Sequence, residues 1–256
     1  ITIYGREYIV DECCGLKFRI GPQSFYQVNH KQTEVLYNKV VEIGHFKQED
    51  FVIDAYCGIG TIGLIVASHV KQVLSVEIVE EAICNAKQNA KNNQINNIHF
   101  VCNKAEEQIV KWAKENKKID AIIVDPPRKG CDSKLLDTID EMKINKMIYV
   151  SCDPATLARD LKIMVEKGYD IKLVQPVDMF PHTSNCETIT LLEKQIKQIT
   201  KPGLHTINLN VFSNGIIPGF INDVLQFSIQ RHAVVLISMG PIIIKPLDCI
   251  GHKGKN

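Results

Sequence analysis

The sequence lacks the patterns that are typical of secreted proteins, of membrane-spanning proteins and of proteins with a cysteine-bound metal site. None of its nine cysteines is spaced C-x-x-C, and Cys13 and Cys14 are adjacent, an unfavourable start for a zinc or iron–sulfur site. The first residues alternate polar and apolar side chains, so we expect no secretory signal and, with an odd number of cysteines, a cytoplasmic location. No apolar run approaches the roughly 20 residues of a membrane-spanning helix, and we expect no membrane association.

An excess of charge of either sign is also missing. The 30 lysines and arginines balance 29 acidic residues, which gives a formal net charge of +1. The sum carries no electrostatic signature of a nucleic-acid-binding protein, but it is compatible with a local basic patch. The 256 residues suffice for one large domain or two small ones with a buried core.

Strand and helix patterns alternate along most of the chain. "EYIVDE" and "LKFRIG" predict a β-hairpin, and "HKQTEVLYNKVVEIGHF" predicts a helix capped by Asn29 and stopped by Gly44. Five short Val- and Ile-rich strands follow, each with a helix after it, predicted at 61–69, 80–93, 105–115, 133–142 and 154–166. This order predicts an α/β fold, a parallel sheet with helices on both faces. "DIKLVQ" and "ETITLLEK" have no helix between them, so we expect the last strand to run antiparallel at the edge.

Polar residues follow the carboxyl ends of the predicted strands, where ligands of such sheets bind. They occupy 54–60, Glu77, 125–128 and 151–154. Cys152 belongs to this set, because it follows the strand "KMIYVS" and precedes a helix. A free cysteine is often a small buried hydrophobic residue. At this rim of the sheet a nucleophile becomes the alternative.

The glycine-rich turn "DAYCGIGTIGL" is compatible with two cofactors or with none. Its G-x-G-x-x-G pattern and Glu77 at the end of the next strand would suit a dinucleotide or S-adenosylmethionine, and a tight turn without ligand is the third possibility. Asp54 would repel a pyrophosphate but suits the ammonium group of S-adenosylmethionine. In "IIVDPPRKG", Asp125 and two prolines predict a rigid acidic turn that could hold a planar group by its polar edge.

Six motifs in sequence order resemble the RNA (uracil-5-)-methyltransferases, most closely their 23S rRNA uridine C5-methyltransferase branch. They are "FYQVN", "DAYCGIGT", "SVE", "DPPRKGCD", "SCDPATLARD" and "DMFPHTSNCET", and the resemblance covers about residues 1–195. It implies a Rossmann-like class I S-adenosylmethionine-dependent methyltransferase sheet, preceded by a partial β-rich segment. We therefore expect 1–29 to end a β-rich central domain, 30–195 to form the methyltransferase domain, and 196–256 to be a tail.

The resemblance assigns catalysis to two residues. Cys152 matches the nucleophile of the family's "SCNP" motif, and Glu187 of "NCE" matches the base of an "HVE"-like triplet. The thiolate would add to uracil C6, and the base would later remove the C5 proton. The adjacent helix N-terminus would favour the thiolate, whereas Asp153, where the family commonly has Asn, would raise the thiol pKa.

The resemblance also implies the ligands. Gln27, Tyr56, Thr61, Glu77 and Asp125 would line the S-adenosylmethionine site, with Asp125 also reaching the uracil edge. No metal ion is expected, and the family's iron–sulfur cysteine motif is absent from this chain.

Two arginines in the motifs have two interpretations. Arg128 and Arg159 could contact RNA phosphate or pair with nearby acids, and we favour pairing.

Several functions stay open. The leading one is C5 methylation of a uridine in 23S rRNA by a monomeric enzyme; the others are the same reaction on the T-loop of tRNA, and an inactive RNA-binding remnant. A dinucleotide oxidoreductase is disfavoured by Asp54 and the acidic double-proline turn. Family members usually carry an RNA-binding β-barrel upstream, so we expect a fragment. The tail could be a small β unit or sequence without evolved structure, and we favour the second.

Overall fold

The computed structural model describes residues 5–183 and 185–195, together with the backbone of two strands at 206–211 and 234–239. A hairpin, β1 (Ile9–Cys13) and β2 (Leu16–Ile20), precedes helix α1 (His30–Gly44). The central elements are β3 (Phe51–Ala55), α2 (Thr61–Ala67), β4 (Gln72–Glu77), α3 (Glu80–Asn92), β5 (Ile98–Cys102), α4 (Ala105–Lys114), β6 (Ala121–Val124), α5 (Ser133–Glu141), β7 (Lys146–Ser151), α6 (Pro154–Glu166), β8 (Tyr169–Val177) and β9 (Glu187–Lys194).

The central sheet has the order β5-β4-β3-β6-β7-β9-β8. Strands β3 to β7 are parallel, as predicted, and β9 is antiparallel to both of its neighbours. The expectation that β9 lies at the edge is wrong. The crossover through α6 sets β8 one strand away from β7, and β9 turns back from β8 to fill that gap.

Both faces of the sheet are buried, which explains the nearly continuous apolar strands. Along β3, Val52 joins the core under α1, α2 and α3, and Ile53 joins the core under α4, α5 and α6. The same alternation occurs in β6 at Ile122 and Ile123. The prediction of helices on both faces is thus confirmed.

Local capping agrees with the predicted start of α1. The Asn29 side chain accepts a hydrogen bond from the Gln32 N–H at 3.3 Å, and the helix ends at Gly44. The left-handed residue that terminates the helix is His45, with φ 41°.

The hairpin packs onto the α/β sheet. Cys14 and Gly15 both have positive φ, 51° and 75°, as a two-residue turn matched to the strand twist requires. Phe18 shares the core of α1 to α3. The fully buried Asn89 of α3 accepts from the Arg19 N–H at 2.7 Å and donates to the Arg19 carbonyl at 3.2 Å.

Two strands of the tail extend the sheet beyond β8. β10 (Thr206–Val211) pairs parallel with β8 at two residue pairs, and β11 (Val234–Met239) pairs parallel with β10. Apart from these two strands, residues 196–256, for which we expected a tail without evolved structure, lie outside the described residues. Among the described helices, none has the length and hydropathy required to cross a bilayer.

Replacing Asn89 with alanine should destabilise the protein by about 2–4 kcal/mol, because it leaves the half-buried N–H and carbonyl of Arg19 without their Asn89 partners. Urea denaturation of the variant measures this loss. Lys87→Ala, at an exposed position of the same helix, is the control and should change stability by less than about 0.5 kcal/mol. Equal effects of the two substitutions would contradict a specific role for Asn89.

Candidate active site

The strand registers bring predicted site residues to one edge of the sheet. Ala55, the last residue of β3, is aligned with Val124, the last residue of β6. Tyr56 and Asp125 therefore leave neighbouring strands at the same level, and Glu77 ends the strand on the other side of β3. This edge is formed by the carboxyl ends of the parallel strands, where the sequence predicts a ligand site.

Cys152 and Glu187 meet at the same edge because β9 is antiparallel. Ser151 of β7 is aligned with Thr188 of β9, so the next pair outward in this register is Cys152 and Glu187. Glu187 is 5% exposed, and Cys152 is half-buried between β7 and α6. The proposed nucleophile and base thus leave adjacent strands at facing positions.

Glu77 is held by the backbone of two turns. Its carboxylate accepts hydrogen bonds from the N–H groups of Gly58 at 3.1 Å, Ile78 at 2.9 Å and Val79 at 3.0 Å. A Cβ atom built on Gly58 would meet nothing within 4 Å, so the space above this turn is open. A fixed carboxylate beside an open glycine backbone fits a ligand that carries a pair of hydroxyl groups.

Asp54 supports the glycine turn from inside. It is 1% exposed, its Oδ2 accepts from the Gly63 N–H at 3.0 Å, and a Cβ at Gly63 would lie only 2.5 Å from that oxygen. Burial raises the pKa of Asp54 to about 7, against the opposing effect of the Gly63 hydrogen bond. Oδ2 of Asp54 thus supports the turn, whereas Oδ1 has no hydrogen-bond partner among the described residues, and the contact with the cofactor ammonium group expected from the sequence stays a prediction.

The other three cofactor candidates lie on different elements of the fold. Thr61 is the buried first residue of α2, and Gln27 is buried in the loop between β2 and α1. Tyr56 has φ 64°, and its ring packs against the core under α4 to α6.

The acidic groups of this edge perturb one another. Burial raises the pKa of Glu187 to about 7, opposed by the charge of Arg128. Burial also raises the pKa of Asp125 well above its usual range, and the charges of Glu187 and Asp54 add to that rise.

The pKa of the Cys152 thiol depends mainly on burial and on two nearby acids. Burial, followed by the charges of Glu187 and Asp125, raises the pKa of its thiol. A hydrogen bond from the backbone lowers the thiol pKa, as expected beside the helix N-terminus, but burial and the two acids outweigh it. Asp153 serves as the N-cap of α6, where its Oδ1 accepts from the Thr156 N–H at 2.9 Å.

The sequence of this chain is similar to a known protein family and to individual bacterial proteins. The family model described as tRNA (uracil-5-)-methyltransferase matches residues 7–195. The chain belongs to this family. Uncharacterized RNA methyltransferases of Bacillus cereus and Listeria monocytogenes are 53% identical over 193 residues and 51% identical over 191 residues. Each match covers 75% of this chain but only 42% of the relative, so the chain spans less than half the length of these relatives.

Solved structures confirm the predicted class I methyltransferase fold. Pyrococcus abyssi tRNA (uracil-54, C5)-methyltransferase, in complex with S-adenosyl-L-homocysteine, is 33% identical with a TM-score of 0.65, over 74% of this chain and 45% of that one. The M. jannaschii tRNA m1G37 methyltransferase is similar in fold alone, with a TM-score of 0.58 at 13% identity, over 76% of this chain and 59% of that one.

A buried carboxylate joins two of the family motifs. Asp160 of "SCDPATLARD" is fully buried, and its Oδ2 accepts from the Cys131 N–H at 2.8 Å and the Tyr149 hydroxyl at 2.7 Å. Arg159 pairs with Asp160 at 2.7 Å and donates to the Lys129 carbonyl at 2.8 Å. The preference for an ion pair at Arg159 is thus confirmed by the geometry.

Helix α6 therefore holds the "DPPRKGCD" loop. Thr156 adds a hydrogen bond from its hydroxyl to the Arg128 carbonyl at 3.0 Å. A Cβ at Gly130, whose φ is 77°, would lie 2.6 Å from Asp160 Oδ2, so a larger residue would displace the loop. Sequence reasoning missed Asp160, although its fixed place in a specific motif was a usable signal.

A second residue that the sequence does not reveal is Tyr37 of α1. Its side chain is buried, and burial together with the charge of Asp125 raises the pKa of its hydroxyl. The charge of Glu187 contributes to the same rise, so the phenol lies within electrostatic range of both acids. Only the packing of α1 against β9 brings it there.

Substituting Asp160 with alanine should destabilise the protein by about 2–4 kcal/mol, because the buried Cys131 N–H and Tyr149 hydroxyl lose their acceptor. Chemical denaturation measures the difference. Asp137→Ala removes an acidic partner from a surface pair with Lys167 and should cost less than about 1 kcal/mol. A loss at Asp160 no larger than the loss at Asp137 would show that the loop does not depend on this carboxylate.

Replacing Glu187 with glutamine should change how stability depends on pH. The folded-state pKa of Glu187 is raised from 4.5 to about 7, so folding favours the protonated form and loses this advantage as the pH rises through that window. Relative to wild type, Glu187→Gln should gain about 2–3 kcal/mol between pH 4 and pH 8.

Denaturation curves across this pH range test the prediction. Glu141→Gln, at an exposed position of α5, serves as the control and should run parallel to wild type. A Glu187→Gln curve that is also parallel to wild type would refute a buried, strained carboxylate at this position.

Proposed function

We propose that this chain transfers a methyl group from S-adenosylmethionine to C5 of a uridine in 23S rRNA. The observation that carries the proposal is the register of β7 and β9, which sets Cys152 opposite Glu187. A nucleophile and a base on facing strand ends are what addition and elimination across the C5–C6 bond of uracil require. Membership of the uracil-5-methyltransferase family supports the same assignment.

The cofactor residues fit S-adenosylmethionine. The Glu77 carboxylate is fixed by three backbone N–H groups, and it would accept hydrogen bonds from the two ribose hydroxyls above the open face of Gly58. Gln27, Thr61 and Asp125 would border the remainder of the cofactor. When bound, S-adenosylmethionine supplies an electrophilic methyl group.

Tyr56 would line the cofactor site next to the adenosine, and its contribution would come from its backbone conformation in the same turn. Its left-handed conformation, with φ 64°, shapes the path from β3 to the glycines. The related P. abyssi enzyme, whose structure contains S-adenosyl-L-homocysteine, supports a cofactor of this class.

The reaction begins at Cys152. Its thiol loses its proton to the solvent, and the thiolate sulfur adds to uracil C6. The electrons of the C5–C6 double bond move toward the C4 oxygen, so that C5 becomes an enolate-like carbon and negative charge develops on that oxygen. Asp125, whose pKa is raised by burial, could donate a hydrogen bond to that oxygen in its protonated form. Carbon C5 would then form a bond to the methyl group of bound S-adenosylmethionine, and the bond between that methyl group and the cofactor sulfur would break to leave S-adenosylhomocysteine.

The reaction ends at Glu187. C5 now carries both a proton and the new methyl group, and the carboxylate of Glu187 removes the proton. The electrons of the broken C5–H bond re-form the C5–C6 double bond, and the C6–S bond breaks to return the sulfur as a thiolate. The pKa of about 7 makes Glu187 a stronger base than an ordinary carboxylate at neutral pH.

Side chains beside Gln27 offer contacts for RNA. Phe25 and Val28 are 76% and 83% exposed. Val28 also borders a cavity of about 560 Å³ that is lined by His30, Lys31 and Phe180. Exposed apolar and basic side chains together suit unstacked bases and phosphate.

Transfer RNA is the second candidate substrate. The observation in its favour is the 33% identity to a P. abyssi enzyme that acts on uracil-54 of tRNA. Parallel assays with unmodified 23S rRNA and unmodified tRNA transcripts separate the two. Methylation of the tRNA alone would correct the substrate, and incorporation into neither RNA would favour an inactive RNA-binding remnant.

Two variants should fail in different ways. Cys152→Ala removes the nucleophile, so neither methyl transfer nor a covalent complex should form. Glu187→Gln should transfer the methyl group and then stall, because elimination requires loss of the C5 proton; turnover should fall by about 10²–10⁴-fold. Protein and RNA should then migrate together on a denaturing gel with label from the methyl donor.

Cys84→Ala, at an exposed position of α3, is the matched control for thiol loss and should retain turnover. Turnover by Cys152→Ala would show that Cys152 is only a spacer. Normal turnover by Glu187→Gln without a trapped complex would move the base to another residue.

A further inference from the structure

A second cluster of reactive groups lies where the hairpin meets α1. Cys13 ends β1, Cys14 begins the turn, and Glu34 projects from α1. The two sulfurs are 3.9 Å apart, and one ligand atom from each of the three residues lies within 4.8 Å of the others. We propose that Cys13, Cys14 and Glu34 form a Zn²⁺ site that ties the hairpin to α1.

The sulfur separation fits tetrahedral coordination. Zinc–thiolate bonds of about 2.3 Å at tetrahedral angles place two sulfurs about 3.8 Å apart. The positive φ of Cys14, 51°, turns this residue so that neighbouring cysteines reach the same point. Adjacent cysteines predict no metal site from spacing alone, but the fold supplies the third ligand from 20 residues away.

Glu34 is already oriented toward the turn. Its Oε1 accepts from the Cys14 N–H at 3.0 Å, which fixes the carboxylate beside both sulfurs. Its second oxygen is then available to a cation. A hydrogen bond that orients a ligand is a regular feature of metal sites.

The surroundings add negative charge and one unsatisfied polar atom. The carboxylates of Asp11 and Glu34 both act on Cys13, and His30 pairs with Asp11 at 3.5 Å. The Tyr26 hydroxyl is buried beside Cys13 and Asp11 and makes no hydrogen bond of good geometry with the described residues. A water in the fourth coordination position would give this hydroxyl a partner.

Binding would release one proton from each thiol to the solvent, so affinity should rise with pH. The site is separate from Cys152, and the proposal does not depend on the proposed methyl transfer. Its effect should be structural, since a metal that binds only the folded chain raises the melting temperature.

Titration of the reduced, chelator-treated full chain with CdCl₂ and ZnCl₂ tests the site. We expect one equivalent of Cd²⁺ to produce an ultraviolet cadmium–thiolate absorption, Zn²⁺ to displace it, and either metal to raise the melting temperature. Cys14→Ser and Glu34→Gln should each weaken binding by at least about tenfold, the loss found even for outer-shell partners. Glu34→Gln retains an oxygen that can accept the Cys14 N–H, so it should keep the turn folded.

Cys84→Ser and Cys102→Ser replace exposed cysteines and should bind as wild type does. Folding of each variant is verified by circular dichroism before titration. The proposal is overturned if folded wild type binds neither metal. It is also overturned if binding survives unchanged in either Cys14→Ser or Glu34→Gln.

Discussion

The antiparallel pairing of β9 with β7 is the constraint on which the active site depends. In a fully parallel sheet the residue beside Cys152 would be the end of another strand that carries its own loop. Because β9 runs the other way, its first residue, Glu187, lies at that edge, where it is paired with Val177 of β8 and directly precedes Thr188, which is paired with Ser151 of β7. A base on a strand between two neighbours is held more rigidly than one on a loop, and proton removal requires such fixed geometry.

The second support of the site is the docking of one motif onto another. The acidic double-proline loop cannot join a strand or a helix, so its backbone groups need other partners. Asp160, Arg159 and Thr156 provide them from α6, the helix that Cys152 and its Asp153 cap precede. Cys152 and the loop are thus both attached to α6, and a shift of this helix would move both.

The sequence predicts the helices and strands better than it predicts which elements and side chains contact one another. Periodicity identified β3 to β7 and their helices, and the motifs indicated Cys152 and Glu187, because these signals are local. The place of β9 and the bonds of Asp160 depend on groups about 30 residues apart, as with Cys131, and no local pattern encodes them. The thiol of Cys152 shows the same limit, since the helix N-terminus is visible in sequence whereas the nearby Asp125 charge is a product of folding.

The acids at the carboxyl edge explain why the site is built at the expense of stability. Asp54, Asp125 and Glu187 are all drawn toward the protonated state by burial, so each opposes folding when it is ionised. The same burial gives Glu187 the basicity of a group that titrates near neutral pH, and it favours the neutral form of Asp125, as the proposed hydrogen bond from Asp125 to the uracil would require. An arrangement of hydrophobic residues of similar volume would be more stable. The edge therefore has the composition expected of a site that transfers protons. The apolar cores on the two faces of the sheet offset the unfavourable free energy of burying these acids.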